Sequence, residues 1–178
     1  STKKIRLYRK NSMGVKNLNS LFNSIKFKSI NTQIYNVSYD IEEFNGYIYA
    51  TSFAGGLRRF NYNNSNPEWE LVPLPQDNQT SLFCNNIDTE NYQYNPVDPP
   101  DGNDNHKAFS VFIDENIIWV GTGDGINKGI INEENDCIDW VHYNESDGMG
   151  DRWIIGIRNQ TLEDEINRLW AVSWDPTL

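Results

Sequence analysis

Apolar and polar positions alternate with period two along most of the chain, the pattern of strands that bury one face. Three segments share one internal grammar: YIYATSFAGGLRRF at 47–60, IIWVGTGDGINKG at 117–129 and RLWAVSWDP at 168–176. Each places an aromatic after an aliphatic, as Ile48-Tyr49, Ile118-Trp119 and Leu169-Trp170. Two small or β-branched residues follow, then Ser or Thr. The first two segments run on through a glycine-rich turn to a new apolar position, Leu57 or Ile126. Glycine there supplies the backbone conformations that a tight reversal needs.

Shorter alternating runs precede each segment: IYNVSYDI at 34–41, AFSVFID at 108–114 and WIIGIRNQ at 153–160. After the turn come LRRFNY and INKGII, then a polar turn, then a Trp-led strand at Trp69 or Trp140. Trp69 lies 20 residues after Tyr49, and Trp140 lies 21 after Trp119. The unit predicted is a four-stranded antiparallel meander, and repeated meanders of about 40–50 residues are the blades of a β-propeller.

The expected fold is therefore all-β, a β-propeller of which about three blades are present. Residues 1–33 read as tail strands of a preceding blade and 34–74 as a blade. Residues 75–107 read as an inserted surface loop around PVDPPDGNDN, 108–144 as a second blade and 145–178 as a truncated blade with two strands. A closed propeller needs at least four blades, so a fragment with open edges is expected, its partners including the remaining blades. Tyr49, Trp119 and Trp170 are the expected core aromatics between sheets.

Composition supports strands over helices. The 178 residues include four Ala against 18 Ile and 25 Asn, and aromatics make up 13%. A helix bundle is excluded on those numbers. No apolar run approaches the length of a membrane-spanning helix. The net charge of −10 argues against nucleic acid as a partner. Residues 1–39 nevertheless carry eight bases and no acid. Interleaved apolar residues there favour an edge strand with solvated lysines over a binding arm.

IWVGTGDGINKG resembles the strand-turn-strand core of the two-component-regulator propeller repeats. WVHYNESDGMGDRWIIGIRNQ, ending in RLWAVSW, resembles large exported bacterial propellers, related in style to the Asp-box propellers of sialidases and sortilin-like receptors. The turns INEENDCIDW and YNNSNPEW keep only the Trp of an Asp-box, and a sialidase arginine triad is not identifiable. The resemblance implies non-catalytic recognition or a scaffold role in an exported or cell-surface protein, extracellular or periplasmic, with a carbohydrate or protein ligand. A glycoside hydrolase or lyase of propeller type is the alternative. An architectural segment of a secretion-system substrate is a third reading.

Candidate chemistry is sparse. His106 and His142 stand apart from any catalytic motif, and Cys84 and Cys137 form no zinc-type cluster. The two cysteines fit either a disulfide or two free thiols. Aligning the repeats puts Phe53, Gly123 and Trp174 at one level of a rim and Ala54, Asp124 and Asp175 at the next. Phe53, Asp124, Trp174 and Asp175 are the candidate ligand-binding set, since aromatic platforms with nearby acids suit sugars or cationic groups. Packing between blades and turn geometry are the plainer roles for the same residues. Asp98, Asp101, Asn103 and Asp104 offer oxygen ligands at close spacing, as Ca²⁺ prefers, without an EF-hand's distal Glu. A solvated acidic loop is the simpler reading, and no other cofactor is indicated.

Overall fold

In the computed structural model, which describes residues 37–87, 92–96, 102–161 and 167–175, the alternating runs form antiparallel strands. Strands β1 (Ser38–Phe44), β2 (Tyr47–Ser52), β3 (Gly56–Asn61) and β4 (Trp69–Leu71) make one sheet in the order β1-β2-β3-β4. A second sheet contains β5 (Ser81–Leu82), β6 (Ala108–Asp114), β7 (Ile117–Thr122), β8 (Gly125–Asn132) and β9 (Cys137–Tyr143). Its order is β5-β9-β8-β7-β6. Strands β10 (Trp153–Thr161) and β11 (Asn167–Trp174) pair with each other. The chain is all-β with antiparallel sheets. The N-terminal residues 1–36, which include the expected tail strands at 1–33, lie outside the described residues.

Local chemistry sets the hairpins. Asn45 and Gly46 take positive φ, 48° and 85°, as a two-residue turn matched to strand twist requires. The hairpins β1-β2, β6-β7 and β10-β11 then share one irregularity. Pairing steps from Ser38↔Ser52 to Asp40↔Thr51, from Ala108↔Thr122 to Ser110↔Gly121, and from Ile154↔Ser173 to Gly156↔Val172. One extra residue is left on the first strand each time: Tyr39, Phe109 and Ile155. Such bulges bend a strand and re-aim its neighbours. The common register puts Tyr49, Trp119 and Trp170 at one position, opposite Glu42, Phe112 and Arg158.

The first strands of the three hairpins lie beside one another, β6 between β1 and β10. Asp40 Oδ2 accepts from the Val111 amide at 3.3 Å and from Arg158 at 3.4 Å, and Asn159 donates to Asp114 at 3.3 Å. Gly121 makes the approach of the third hairpin feasible. A Cβ on it would stand 2.4 Å from the Ile154 carbonyl oxygen.

The main core fills the space between the first two sheets. Tyr49, Leu57, Val72 and Leu74 meet Val111, Ile118, Val120, Ile131, Ile138 and Trp140 there. On the other face of the second sheet, Ile126 packs with Ile154 and Ile157, flanked by Phe112, Trp119 and Met149. The shared aromatic position records this difference. Tyr49 is 1% exposed, Trp119 is half-buried and Trp170 is 54% exposed. The expectation that Trp170 sits in the core is therefore corrected. A whole sheet covers Tyr49, a two-stranded hairpin covers part of Trp119, and no described element covers Trp170. Trp140 is the large buried indole of the second sheet.

Residues 75–107 carry more structure than their composition suggests. Ser81 and Leu82 pair with Val141 and Trp140 on β9. Cys84 and Cys137 are disulfide-bonded, with Cα atoms 5.9 Å apart, which decides between the two readings of the cysteines. Asn105 and His106 are among the most buried of the described residues.

Two stability changes are expected in urea denaturation at neutral pH. Trp140→Ala should cost about 3–5 kcal/mol, as for a fully buried aromatic, and Trp119→Ala distinctly less. Replacing both cysteines by Ala opens a link across 53 residues and should cost about 4 kcal/mol. Equal costs for the two tryptophans would contradict the unequal cover described above.

Candidate functional site

The hairpin ends bring four aromatic side chains into one chain of contacts. Phe53 follows β2, Phe109 is the bulge residue of β6, Trp153 opens β10 and Trp174 closes β11. Ring centroids are 5.9 Å apart for Phe53–Phe109, 6.1 Å for Phe53–Trp153, 5.1 Å for Phe109–Trp153 and 5.6 Å for Trp153–Trp174. Tyr39 meets the Phe109 ring edge-on at 5.4 Å. Centroid separations of this size suit offset and edge-to-face packing. Trp174 stays 53% exposed.

One cation lies over two of these rings. Lys107 Nζ lies 5.6 Å from the Phe53 centroid and 6.0 Å from that of Trp153, within cation–π range. Lys107 also pairs with Asp104. Arg152 donates to Asp124 Oδ1 at 3.0 and 3.2 Å and to Asp104 Oδ2 at 3.1 Å, with 45% of its side chain exposed. Burial pushes the Asp124 carboxyl up, while the Arg152 hydrogen bonds pull the other way. His142 sits under the same turn. Its Nε2 lies 2.7 Å from the Asp124 carbonyl oxygen and its Nδ1 lies 3.1 Å from that of Gln79.

A buried polar anchor holds this end of the molecule together. Asn105 and Asn127 exchange amide hydrogen bonds at 3.0 and 2.7 Å. Asn105 also donates to the Pro75 carbonyl at 2.7 Å and accepts from Thr122 Oγ1 at 2.6 Å. Both donors and both acceptor positions of this amide are thereby used, as a fully buried amide requires. Asp77 accepts from the amides of Asp104 and Asn105 at 2.9 and 2.8 Å. Tyr94 donates to the Ala54 carbonyl at 2.9 Å, tying the inserted segment to the turn that carries Phe53.

His106 is the titratable element of the anchor. Its ring stacks on Tyr94 at 5.3 Å. Nδ1 accepts from the Asn95 amide at 3.2 Å, and Nε2 lies 2.9 Å from the Tyr92 hydroxyl. Tyr92 in turn donates to the Leu74 carbonyl at 3.0 Å. This chain of bonds fits the neutral imidazole with its proton on Nε2. Burial lowers the His106 pKa to about 4, against an opposing pull from Asp77, and burial raises the Tyr92 hydroxyl to about 12.

The candidate ligand-binding residues thus fall near one another in unequal states. Phe53 and Trp174 are joined through Trp153. Asp124 is buried under Arg152, and Asp175 is half-buried with partners of its own. The charge that reaches solvent beside the buried Asp124 is the Arg152 guanidinium. Sequence reasoning missed Trp153, Lys107, Phe109 and Arg152. The signal for two of them was present: extending the repeat alignment across each hairpin puts Val37, Lys107 and Trp153 at one level. Those positions face Phe53, Gly123 and Trp174.

Of the candidate calcium ligands, Asp98 and Asp101 lie outside the described residues. Asn103 accepts from the Asp77 amide at 3.1 Å, and Asp104 is bound by Lys107 and Arg152. Among the described residues no group of three His, Cys, Asp or Glu side chains is placed to hold a metal.

Between pH 6.5 and about 4 the unfolded chain binds a proton at His106 that the folded chain refuses. His106 thus contributes stability that is complete above pH 6.5 and lost as pH falls through that window, about 3 kcal/mol in all. Urea denaturation at pH 7 and 4.5 should show that His106→Gln is less stable at pH 7 yet loses less on acidification. Parallel pH dependence in the two proteins would remove His106 from this role.

Compared with family models, curated proteins and solved structures, the chain gives no match, and the reading of these aromatic and charged residues rests on their own geometry.

Proposed function

We propose that this chain is a non-catalytic recognition module of β-propeller type, exported to an extracellular or periplasmic compartment, that binds carbohydrate on its aromatic rim. Three features support the propeller reading. The hairpins share one bulged register, their first strands lie side by side, and two of them continue into larger antiparallel sheets. The Cys84–Cys137 disulfide supports export, since such bonds persist in oxidising compartments.

The observation that carries the binding reading is the exposed Trp174 ring, set edge-on by Trp153 at 5.6 Å, with the partly exposed Arg152 next to Trp153 in the chain. An indole fixed from one side and open on the other offers a stacking face to the C–H surface of a sugar ring. Arg152 supplies donors to hydroxyl or carboxylate oxygens. Its own two carboxylate partners hold it in place, so little side-chain entropy is lost when a ligand meets it. Phe53, Asp124 and Asp175 complete the rim from beneath and beside.

The test is a titration of the protein with neutral and uronic-acid oligosaccharides, read by tryptophan fluorescence and calorimetry. Saturable binding is expected, weakened at least tenfold by Trp174→Ala, which corresponds to about 1.4 kcal/mol. The thermal midpoint of that variant should stay near the parent's, because the side chain is half exposed. Absence of binding across both sugar classes, or full binding by the variant, would overturn the proposal.

A further inference from the structure

His142 of β9 is buried, and both of its ring nitrogens face backbone carbonyl oxygens. Nε2 lies 2.7 Å from the Asp124 carbonyl in the turn between β7 and β8. Nδ1 lies 3.1 Å from the Gln79 carbonyl in the inserted segment. A carbonyl oxygen only accepts, and a neutral imidazole carries a single N–H. With one proton on the ring, the second nitrogen would turn its lone pair toward a carbonyl oxygen. Two protons satisfy both contacts, so the surroundings of this ring are built for the imidazolium.

The charges around it act in the same direction. The Asp124 carboxylate lies 3.7 Å from Nε2, with 9% of its side chain exposed. Arg152, from the link between β9 and β10, reaches that carboxylate at 3.0 Å and Asp104 at 3.1 Å, and Lys107 also pairs with Asp104. Asp77 of the inserted segment is close enough to Asp124 to disfavour a second negative charge there. Among the described residues three carboxylates thus stand against two cations, and the nearest charge to the ring is a carboxylate. The remaining neighbours are neutral. Asn127 stands opposite His142 on β8, and the Thr80 carbonyl accepts from the His142 amide at 2.9 Å.

The Gln79 contact clamps a turn that carries further weight. The Gln79 amide donates to the Gln76 carbonyl at 2.8 Å, and Gln79 Oε1 accepts from the Gln76 amide at 3.0 Å. Asp77 sits within this turn and holds the amides of Asp104 and Asn105. His142 therefore joins the β7–β8 turn to residues 76–79 and, through Asp77, to the backbone of Asp104. The first sheet is tied to the inserted segment at the equivalent place. Ala54 stands at the repeat level of Asp124, and its carbonyl accepts from Tyr94, which stacks on His106. His106 accepts at Nδ1 and so needs a neutral ring. The two attachments require opposite protonation states of their histidines.

We propose that His142 is a proton-dependent latch: as imidazolium it bridges the Asp124 and Gln79 carbonyls, and as a neutral ring it keeps the shorter Asp124 bond and releases the 76–79 turn. The latch is closed on the acid side and opens as pH rises. The His106 attachment has the reverse sign. Its folded pKa of about 4 lies below that of a free histidine, so it is intact above the free value and fails as pH falls through the folded one. The inserted segment is thus held fully in a window bounded below by His106 and above by His142. This inference does not depend on what the rim binds.

The test is ¹⁵N NMR of the histidine rings in the whole chain between about pH 5 and 8, where histidine ordinarily changes charge. Both His142 nitrogens should carry protons at the acid end, and Nε2 alone at the alkaline end. Over the same range the Asp104 and Asn105 amides should exchange with solvent about fivefold faster or more, after correction for the intrinsic pH dependence, as the loss of one hydrogen bond allows. His142→Gln should abolish that pH dependence, and His106→Gln should retain it. A His142 ring that is neutral throughout, or one that stays doubly protonated to the alkaline end, would overturn the proposal without recourse to any variant. Flat exchange in the parent, or an equal rise in His142→Gln, would do the same. A rise that vanishes only in His106→Gln would assign the effect to the other histidine and overturn it as well.

Discussion

A β-sheet with apolar side chains on both faces must be covered on both sides, and most of this structure follows from how far that cover extends. The first and second sheets cover each other, and their shared core is large. The third hairpin covers only the inner part of the second sheet's other face, through Ile154 and Ile157. Exposure of Ile130, Val141 and Tyr143 on the outer part follows directly. One repeat position, occupied by Tyr49, Trp119 and Trp170, passes from buried to exposed with no change in local strand geometry. Burial here is a property of the neighbour and not of the residue.

The inserted segment meets the same constraint with polar chemistry. Between Pro75 and Lys107 there are too few aliphatic residues to anchor it by apolar burial. Asn105 does so with a reciprocal amide pair to Asn127, and every polar atom of its side chain has a partner. A network of this kind is worth keeping only when complete, because an unpaired buried amide costs about 1–3 kcal/mol. His106 and Tyr94 extend the network to the Phe53 turn, and the disulfide fixes the far end on β9. The turn that carries Phe53 is thus positioned by a segment whose composition resembles that of a loop.

The strands were legible in the sequence because alternation and turn residues act over a few positions. Tyr49, Trp119 and Trp170 were correctly placed on strands for that reason. The depth of Trp170 was not legible, since it depends on a neighbour many residues away. The repeat alignment carries Phe53 and Trp174 to one level, and in the structure both rings meet Trp153. Asp124 was read as a rim carboxylate because its spacing says nothing about Arg152, which reaches it from 28 residues further on. Asn105 and His106 gave no signal at all, as a buried polar network has no periodicity. The cysteines allowed two readings, and only the fold brings Cys84 next to Cys137.

The exposed aromatics of β11 can be sorted by their counterparts. Trp170 and Val172 stand at the positions of Tyr49 and Thr51, both of which disappear from solvent where a neighbouring sheet is present. Trp174 stands at the position of Phe53, which remains half-buried although the second sheet lies against it. The turn level therefore stays open when the strand level is covered. An element that buried the Trp170 face would leave Trp174 at the turn level, still in contact with Trp153. Trp170 corresponds by position to the packed Tyr49 and Trp174 to the half-buried Phe53, although their solvent exposures here are nearly the same.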